Sequence, residues 1–339
     1  MAGIKDVATL AGVSVATVSR TINEPDKVTE QTRITVQKAI KKLNYHPNVL
    51  ARDFRTRRTS RIIVLVPDIS NTFFSNVIRG IQRQAKGLKY AVLLGETRND
   101  KGIEREYASM VLSRQADGII QFSPSNPFLD LAKDNDPLTD FWVNACECIS
   151  DTTTPKIRID NTKAMETIAN QVLEMGHKKI SVLLGPADSP LTISRLSGVY
   201  AALEKKKIDP KSLTKIEGDF SARSGTQAAL DLLKIKTKPT AVLCFNDEMA
   251  FGLIHGLKQS GLSIPEDMSV TGFDDIELAQ YCDPPLSTIS QPAMQIGSTA
   301  MTALHKKING KFNSDLEHIL PADLIVRSSI AAPRQRQIS

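Results

Sequence analysis

The sequence predicts two fold classes in one chain: a small all-α head at the N-terminus, then an α/β body with parallel sheets in two lobes. Three observations carry that expectation. Apolar residues recur at helical spacing through the first 45 residues, punctuated by a glycine and a proline. From residue 61 onward, short apolar runs alternate with helical stretches. Charge divides at the same place. Residues 1–61 hold 12 Lys/Arg against 5 Asp/Glu, a net of +7, whereas the remaining 278 hold 31 against 32, a net of −1. A surplus confined to one end reads as a nucleic-acid module attached to a neutral domain.

In the head, Ile4, Val7, Ala8 and Ala11 fall on one helical face. Gly12 can end that helix with a left-handed turn. Ser14 is a good N-cap for a second helix, with Val15, Val18 and Ile22 expected on its inner face. After a loop with Pro25, Thr29 can cap a third helix, whose apolar stripe is Val36, Ala39, Ile40 and Leu43. Two short helices joined by a tight glycine turn, then a third, form a helix-turn-helix. In that motif the second helix enters the DNA major groove. Its outward residues include Ala16, Thr17 and Arg20. Arg20 can donate two bonds to a guanine edge, and Ala16 can touch a thymine methyl. Thr17, Ser19 and Thr21 are the candidate phosphate contacts.

Pro47 breaks the third helix and opens an arginine-rich stretch, HPNVLARDFRTRRTSR at 46–61. The expected division is a head at 1–46, a linker at 47–60 and a body at 61–339.

In the body, strands are expected at 62–66, 90–95, 118–122, 141–145, 180–185, 240–245 and 268–273. Helical periodicity fills segments between them, such as 165–175 and 222–233. A body of this length exceeds one such sheet, which predicts two α/β subdomains with a ligand cleft at strand carboxyl ends between them.

Several function classes find no support. There is no GxGxxG after a strand, no GxxxxGK[ST], no GxSxG and no HExxH, so no catalytic residue and no cofactor are assigned. The four cysteines are too few and too scattered for a disulfide framework, and no metal ligand set is assigned. His177 is expected to be structural. No apolar run approaches the roughly 18 residues of a membrane helix, and the N-terminus has no signal-peptide core, so a cytoplasmic protein is expected. A transport-type binding protein would need that signal and would not need the basic head. A sugar-modifying α/β enzyme would need a nucleophile or phosphate loop.

The motifs IKDVATLAGVSVATVSRTIN, VTEQTR and LNYHPN resemble the head of the LacI/GalR family of bacterial transcription regulators. PDISNTFFSNVIRGI, MGHKKISVLLGP, SRLSGV, TAVLCFNDEMAFG and IPEDMSVTGFDD follow the same family, in order, to about residue 330. CDPPLSTISQP is closest to its cytidine-regulator branch. The resemblance implies a two-lobed, periplasmic-binding-protein-like body whose lobes are joined by three crossings of the chain. It implies base reading by Val15, Ala16 and Arg20. It also implies further DNA contacts from Asn48, Arg52, Phe54, Arg55 and Arg57 in a hinge helix. Phe54 stands where the family has a leucine wedge, and Asp53 adds an unexpected negative charge near phosphates.

The effector candidates lie in strand-end loops: Phe73, Phe74, Glu147, Asp160, Arg195, Phe220, Asn246 and Asp274. Carboxylates accept bonds from sugar hydroxyls, and aromatic faces stack on a flat ring. By resemblance, Phe73 and Phe220 flank a base while Asp274 and Arg195 hold a ribose. Asp247 and Asp275 read as turn or cap residues. The expected protein is a repressor that binds a pseudo-palindromic operator as a homodimer, without membrane partners. Its effector is expected to be cytidine or a related nucleoside, with a sugar or purine as the alternative.

Overall fold

The computed structural model describes residues 2–46, 58–131, 136–150, 153–312 and 316–334. The chain divides into two compact units, Met1–Arg58 and Thr59–Ser339.

The first unit holds α1 (Ile4–Ala11), α2 (Val15–Asn23) and α3 (Glu30–Lys42) around Val7, Ala8, Val18, Val36 and Ala39. Gly12 adopts φ 66°, a left-handed cap that closes α1 without the Cβ clash of other residues. The Ser14 hydroxyl accepts a bond from the Thr17 amide at 3.1 Å, satisfying a free donor at the start of α2. Two expectations change. Val15 is 40% exposed, because the inner face of α2 begins one turn later, with Val18, Thr21 and Ile22. Thr29 precedes α3, but its hydroxyl pairs with that of Thr32 and makes no capping bond.

The second unit begins where Thr59 and Ser60 donate to the Asp117 carboxylate. Lobe 1 is a six-stranded sheet of β1 (Arg61–Val66), β2 (Ala91–Glu96), β3 (Ile119–Gln121), β4 (Trp142–Ala145), β5 (Lys156–Ile159) and β11 (Glu317–Leu320). All its pairings are parallel, in the order β11-β5-β4-β3-β1-β2. Parallel strands need crossovers, and helices supply them. Ile62, Val64 and Val66 share a core with Val77 and Ile81 of α4 (Thr72–Gly87) and Leu304 of α10 (Ala293–Ile308). Ile63 and Leu65 pack with Ala108 and Val111 of α5 (Lys101–Leu112). Burial on both faces explains why RIIVLV reads as a continuous apolar run.

Lobe 2 is a four-stranded parallel sheet of β6 (Ile180–Leu183), β7 (Thr214–Ile216), β8 (Ala241–Cys244) and β9 (Ser269–Thr271), ordered β7-β6-β8-β9. Its helices are α6 (Asn161–Glu174), α7 (Pro190–Lys205), α8 (Ala222–Lys234) and α9 (Asp247–Gln259). α6 packs on α7 and α8 on α9. The second pair crosses with backbones nearly touching: a Cβ on Gly252 would lie 1.8 Å from the Ala222 carbonyl oxygen. Only glycine permits that approach.

Three segments join the lobes. The chain leaves lobe 1 after β5, returns after β10 (Thr288–Ser290), and leaves again between β11 and β12 (Asp323–Ile325). β10 and β12 form an antiparallel pair, Thr288 opposite Ile325. Ser329 then donates its hydroxyl to the Val270 carbonyl, fastening the C-terminal segment to lobe 2. All seven expected strands are present. The two lobes and three crossings that the resemblance implies are present as well.

Candidate functional site

The expected residues fall on two surfaces, one in each unit. In the head, Val15, Ala16 and Arg20 of α2 are exposed, so their side chains are accessible to a groove. Thr17 and Ser19 are half-buried. Thr21 differs from its expected role as a phosphate contact. It is only 5% exposed, and its hydroxyl donates to the Thr17 carbonyl at 2.9 Å. Spacing places it beside Val18 on the helix's inner side. Asn48, Arg52, Phe54, Arg55 and Arg57 lie outside the described residues.

In the body, a cavity of about 880 Å³ opens between the lobes at the carboxyl ends of their strands. Seven of the eight expected effector residues line it: Phe73, Phe74, Glu147, Arg195, Phe220, Asn246 and Asp274. Asp160 does not. It is the N-cap of α6, and its carboxylate accepts from the Lys163 amide at 2.9 Å. An aspartate between a strand and a helix serves either role, and here the cap prevails.

The aromatic wall starts at α4. Asn71 caps that helix by accepting from the Phe73 amide, which directs both phenylalanines toward lobe 1. Phe73 is 6% exposed and belongs mainly to the core. Phe74 is half-buried, stacked on Phe122 at 5.3 Å, and is the ring of the pair with more accessible surface. Across the cleft, Phe220 holds φ 69°, with its ring against Gly185, where a Cβ would lie 2.0 Å from Cζ. Asn246 fixes that loop. Its Nδ2 donates to the Phe220 carbonyl at 2.8 Å, while its Oδ1 accepts from the Met249 amide and caps α9.

The polar floor is the Arg195–Asp274 pair, 3% and 8% exposed and separated by 3.8 Å. Arg195 lies 3.7 Å over the Phe273 ring and donates to Asn161 Oδ1 and the Phe245 carbonyl. The guanidinium is thus oriented from several sides, as a planar fork requires. Asp274 adopts φ 125°, a conformation L-residues rarely hold, and accepts from Gln291 at 2.7 Å. Burial pushes its carboxyl up to about 8, against the opposing pull of Arg195. Asp247 stands behind the floor, outside the cavity lining. It accepts from Thr288 and the Ile276 amide, and burial raises it to about 6. Asp275 pairs with Arg327 at 2.8 Å. Neither lines the cavity, but neither is the cap expected from sequence: α9 is capped by Asn246, while Asp247 is a buried acceptor and Asp275 an ion-pair partner.

Glu147 comes from lobe 1, in the loop after β4, and reaches lobe 2. Its Oε1 accepts from the Ser189 hydroxyl at 2.5 Å, and the Leu191 amide donates to the same carboxylate. Burial raises its pKa. Gln291 and Ser189 also line the cavity, and sequence reasoning had not singled them out. Gln291 lies in the CDPPLSTISQP segment, but nothing local aims it at the cleft; its placement depends on the crossing at 291, and that of Ser189 on the cap of α7.

His177 bridges Thr240 and the Ala331 carbonyl at 2.8 Å each, the structural role expected. Among the described residues, no group of three or more His, Cys, Asp or Glu is arranged to hold a metal ion. No described helix is long and apolar enough to cross a membrane.

Comparison with known proteins agrees with this geometry. Residues 3–48 match the bacterial regulatory proteins of the lacI family, and residues 169–330 match the periplasmic binding protein-like domain. The HTH-type transcriptional repressor CytR of Escherichia coli is 38% identical over 98% of this chain and 97% of its own. The chain belongs to the LacI family. Its members include the HTH-type transcriptional repressor PurR of Vibrio atlanticus, 36% identical over 97% of this chain and 99% of that one. Among solved structures, the lac repressor dimer bound to operator and an anti-inducer superposes with TM-score 0.85. It is 29% identical, covering 98% of this chain and 99% of that one. A LacI-family regulator from Enterococcus faecium with bound ribose gives 0.74 at 29% identity, covering 81% and 100%. This family member is a DNA-binding transcriptional repressor and not an enzyme.

Proposed function

We propose that the repressor works in the cytoplasm as a homodimer on a pseudo-palindromic operator, and that a nucleoside, cytidine first, sets its operator affinity from the inter-lobe cleft. The functional division is a head at 1–46, a hinge at 47–60 and an effector-binding, dimer-forming body at 61–339. In the head, Val15, Ala16 and Arg20 read bases, with Thr17 and Ser19 on phosphates. Asn48, Arg52, Phe54, Arg55 and Arg57 extend the contact into the hinge. A helix-turn-helix monomer reads few base pairs, and a two-fold dimer doubles the site. The lac repressor structure, a dimer on operator, supports that arrangement.

One observation carries the effector reading: aromatic rings and carboxylates converge on one cavity between lobes joined by three crossings. Phe74 and Phe220 offer faces to a base. Arg195, Asp274 and Gln291 offer donors and acceptors to ribose hydroxyls. Closure on such a ligand couples effector and operator affinities reciprocally.

Calorimetry with cytidine, uridine, adenosine, a purine base and ribose tests the assignment, and ribose is the serious rival given the ribose-bound relative. Cytidine binding at least about tenfold tighter than ribose supports it. Ribose binding without nucleoside binding refutes it. Repeating the titration on operator DNA gives the direction of the coupling.

A further inference from the structure

The cleft carries a charge pattern that bears on what form of ligand it admits. Among the described residues, eight carboxylates border the cavity against three cationic side chains. Arg98 is paired with Glu96 at 3.1 Å, and Arg195 is engaged by Asn161, Phe245 and Asp274. The third, Lys101, is exposed. A phosphate group is held by arginines or by open amides at a helix N-terminus. Five helices open on this cavity, and at each the chain's own side-chain oxygen takes a first-turn amide. Asn71 takes the Phe73 amide, Asp100 those of Gly102 and Ile103, Ser189 that of Thr192, Ser221 that of Ser224 and Asn246 that of Met249. At α7 the occupation is anionic: the Glu147 carboxylate, arriving from the opposite lobe, accepts from both Leu191 N and Ser189 Oγ.

We propose that Glu147 is a built-in anion that holds the start of α7 where a ligand phosphate would otherwise bind, so the cleft takes an unphosphorylated nucleoside or polyol and rejects its phosphate ester. This rests on the cleft being the effector site. Glu147 acts here as a specificity determinant: it leaves the base and sugar contacts to Phe74, Phe220, Arg195 and Asp274 and excludes by charge. A phosphate beside it meets a like charge at close range, and the α7 amides it would need are already taken by Glu147, the Ser189 hydroxyl and the Ser189 carbonyl.

The test pairs each neutral compound with its ester: cytidine with cytidine 5′-monophosphate, ribose with ribose 5-phosphate, and orthophosphate alone. Binding is read on the full-length protein by fluorescence of Trp142, the single tryptophan, which lies on β4 just before the Glu147 loop. The wild type binds the neutral member about 100-fold tighter than its ester. Glu147→Gln, which removes the charge and keeps an acceptor for Leu191, narrows that gap about tenfold and gains saturable orthophosphate binding. Glu217→Gln, an exposed change away from the cavity, leaves the gap as it was.

An ester that binds the wild type as well as its neutral partner overturns the proposal, as does a gap unmoved by Glu147→Gln or moved equally by Glu217→Gln. If ribose binds over its phosphate while cytidine fails, the nucleoside assignment falls and this inference stands. If no neutral compound binds, orthophosphate decides: a signal only in Glu147→Gln supports the proposal, and a signal in the wild type overturns it.

Discussion

Gly252→Ala is expected to destabilise the body, although alanine is the better helix former. In the interior of α9 the exchange should gain up to about 1 kcal/mol of helix propensity. The structure opposes that gain with backbone. The new Cβ would meet the Ala222 carbonyl oxygen at 1.8 Å, the Ala222 carbonyl carbon at 2.7 Å and the Thr226 nitrogen at 2.9 Å. None of these atoms can turn away as a side chain can. Restoring an ordinary contact near 3.4 Å requires α8 and α9 to part by roughly 1.6 Å, in a region where gaps of even 0.5–1 Å forfeit much of the dispersion energy. Overpacking of this kind costs about 1–3 kcal/mol, and the upper end applies where the obstacle is main chain. The net expectation is a loss of about 2 kcal/mol. Gly87, at the end of α4, is the internal control. A Cβ there meets nothing within 4 Å, so Gly87→Ala should be neutral or gain up to about 1 kcal/mol. Urea unfolding followed by circular dichroism, compared at equal m-value, measures both. If Gly252→Ala shifts the midpoint in the same stabilising direction as Gly87→Ala, the close-approach argument fails. The change also reaches the site, since Ala222 and Asn246, at the starts of the two helices, both line the cavity. Effector affinity should fall with stability.

Arg20→Ala should cost about 1–3 kcal/mol on the operator and relax preference at one base position, whereas Thr21→Val should leave DNA affinity nearly unchanged; gel-shift titrations on operator variants separate them. Phe54→Ala should weaken operator binding without changing the slope of log K against log salt, while Arg57→Ala should lower that slope by about one; equal slopes in both would remove the wedge role. Asp247, raised from 3.8 to about 6, retains its proton in the folded body at pH values where the unfolded chain has lost it. Its contribution to stability therefore declines as pH rises from about 4 to 6 and levels off above. Asp247→Asn should accordingly gain on the wild type across that window in urea unfolding, and a pH-independent difference would count against the buried carboxyl.

Legibility from sequence followed the physics of each element. Six of the seven expected strands, RIIVLV among them, are buried on both faces, and the seventh, the edge strand β2, is part-exposed yet still apolar, so all announce themselves by composition. β5, with the sequence KIRI, and β7, with TKI, are short and carry charges that point outward, so no apolar run marks them. β10 and β12 pair only because the chain crosses between lobes, a tertiary fact with no local signal. At the site, loops that end strands are placed by the sheet itself, which is why Phe220 and Asp274 could be anticipated, whereas Arg195, expected in such a loop, projects from within α7 and was marked only by the family resemblance. Asp160 and Thr21 were misassigned because capping and burial are decided by one residue's rotation about a helix. Which of Phe73 and Phe74 keeps an open face was likewise a matter of packing against Phe122. Gly225 and Gly252 carry no local signal of their role, and only the contact between α8 and α9 explains them.

The edge strand β11 has a bearing on how the protein is made. It lies beside β5 in lobe 1, yet it is translated after every strand and helix of lobe 2. On the ribosome, lobe 2 therefore has its whole sheet available while lobe 1 still waits for residues 317–320. A domain assembled first at its centre and last at its flank leaves the backbone of β5 open to other chains until residues 317–320 have emerged. Premature termination anywhere before β11 should yield a half-finished repressor that aggregates and does not bind its effector.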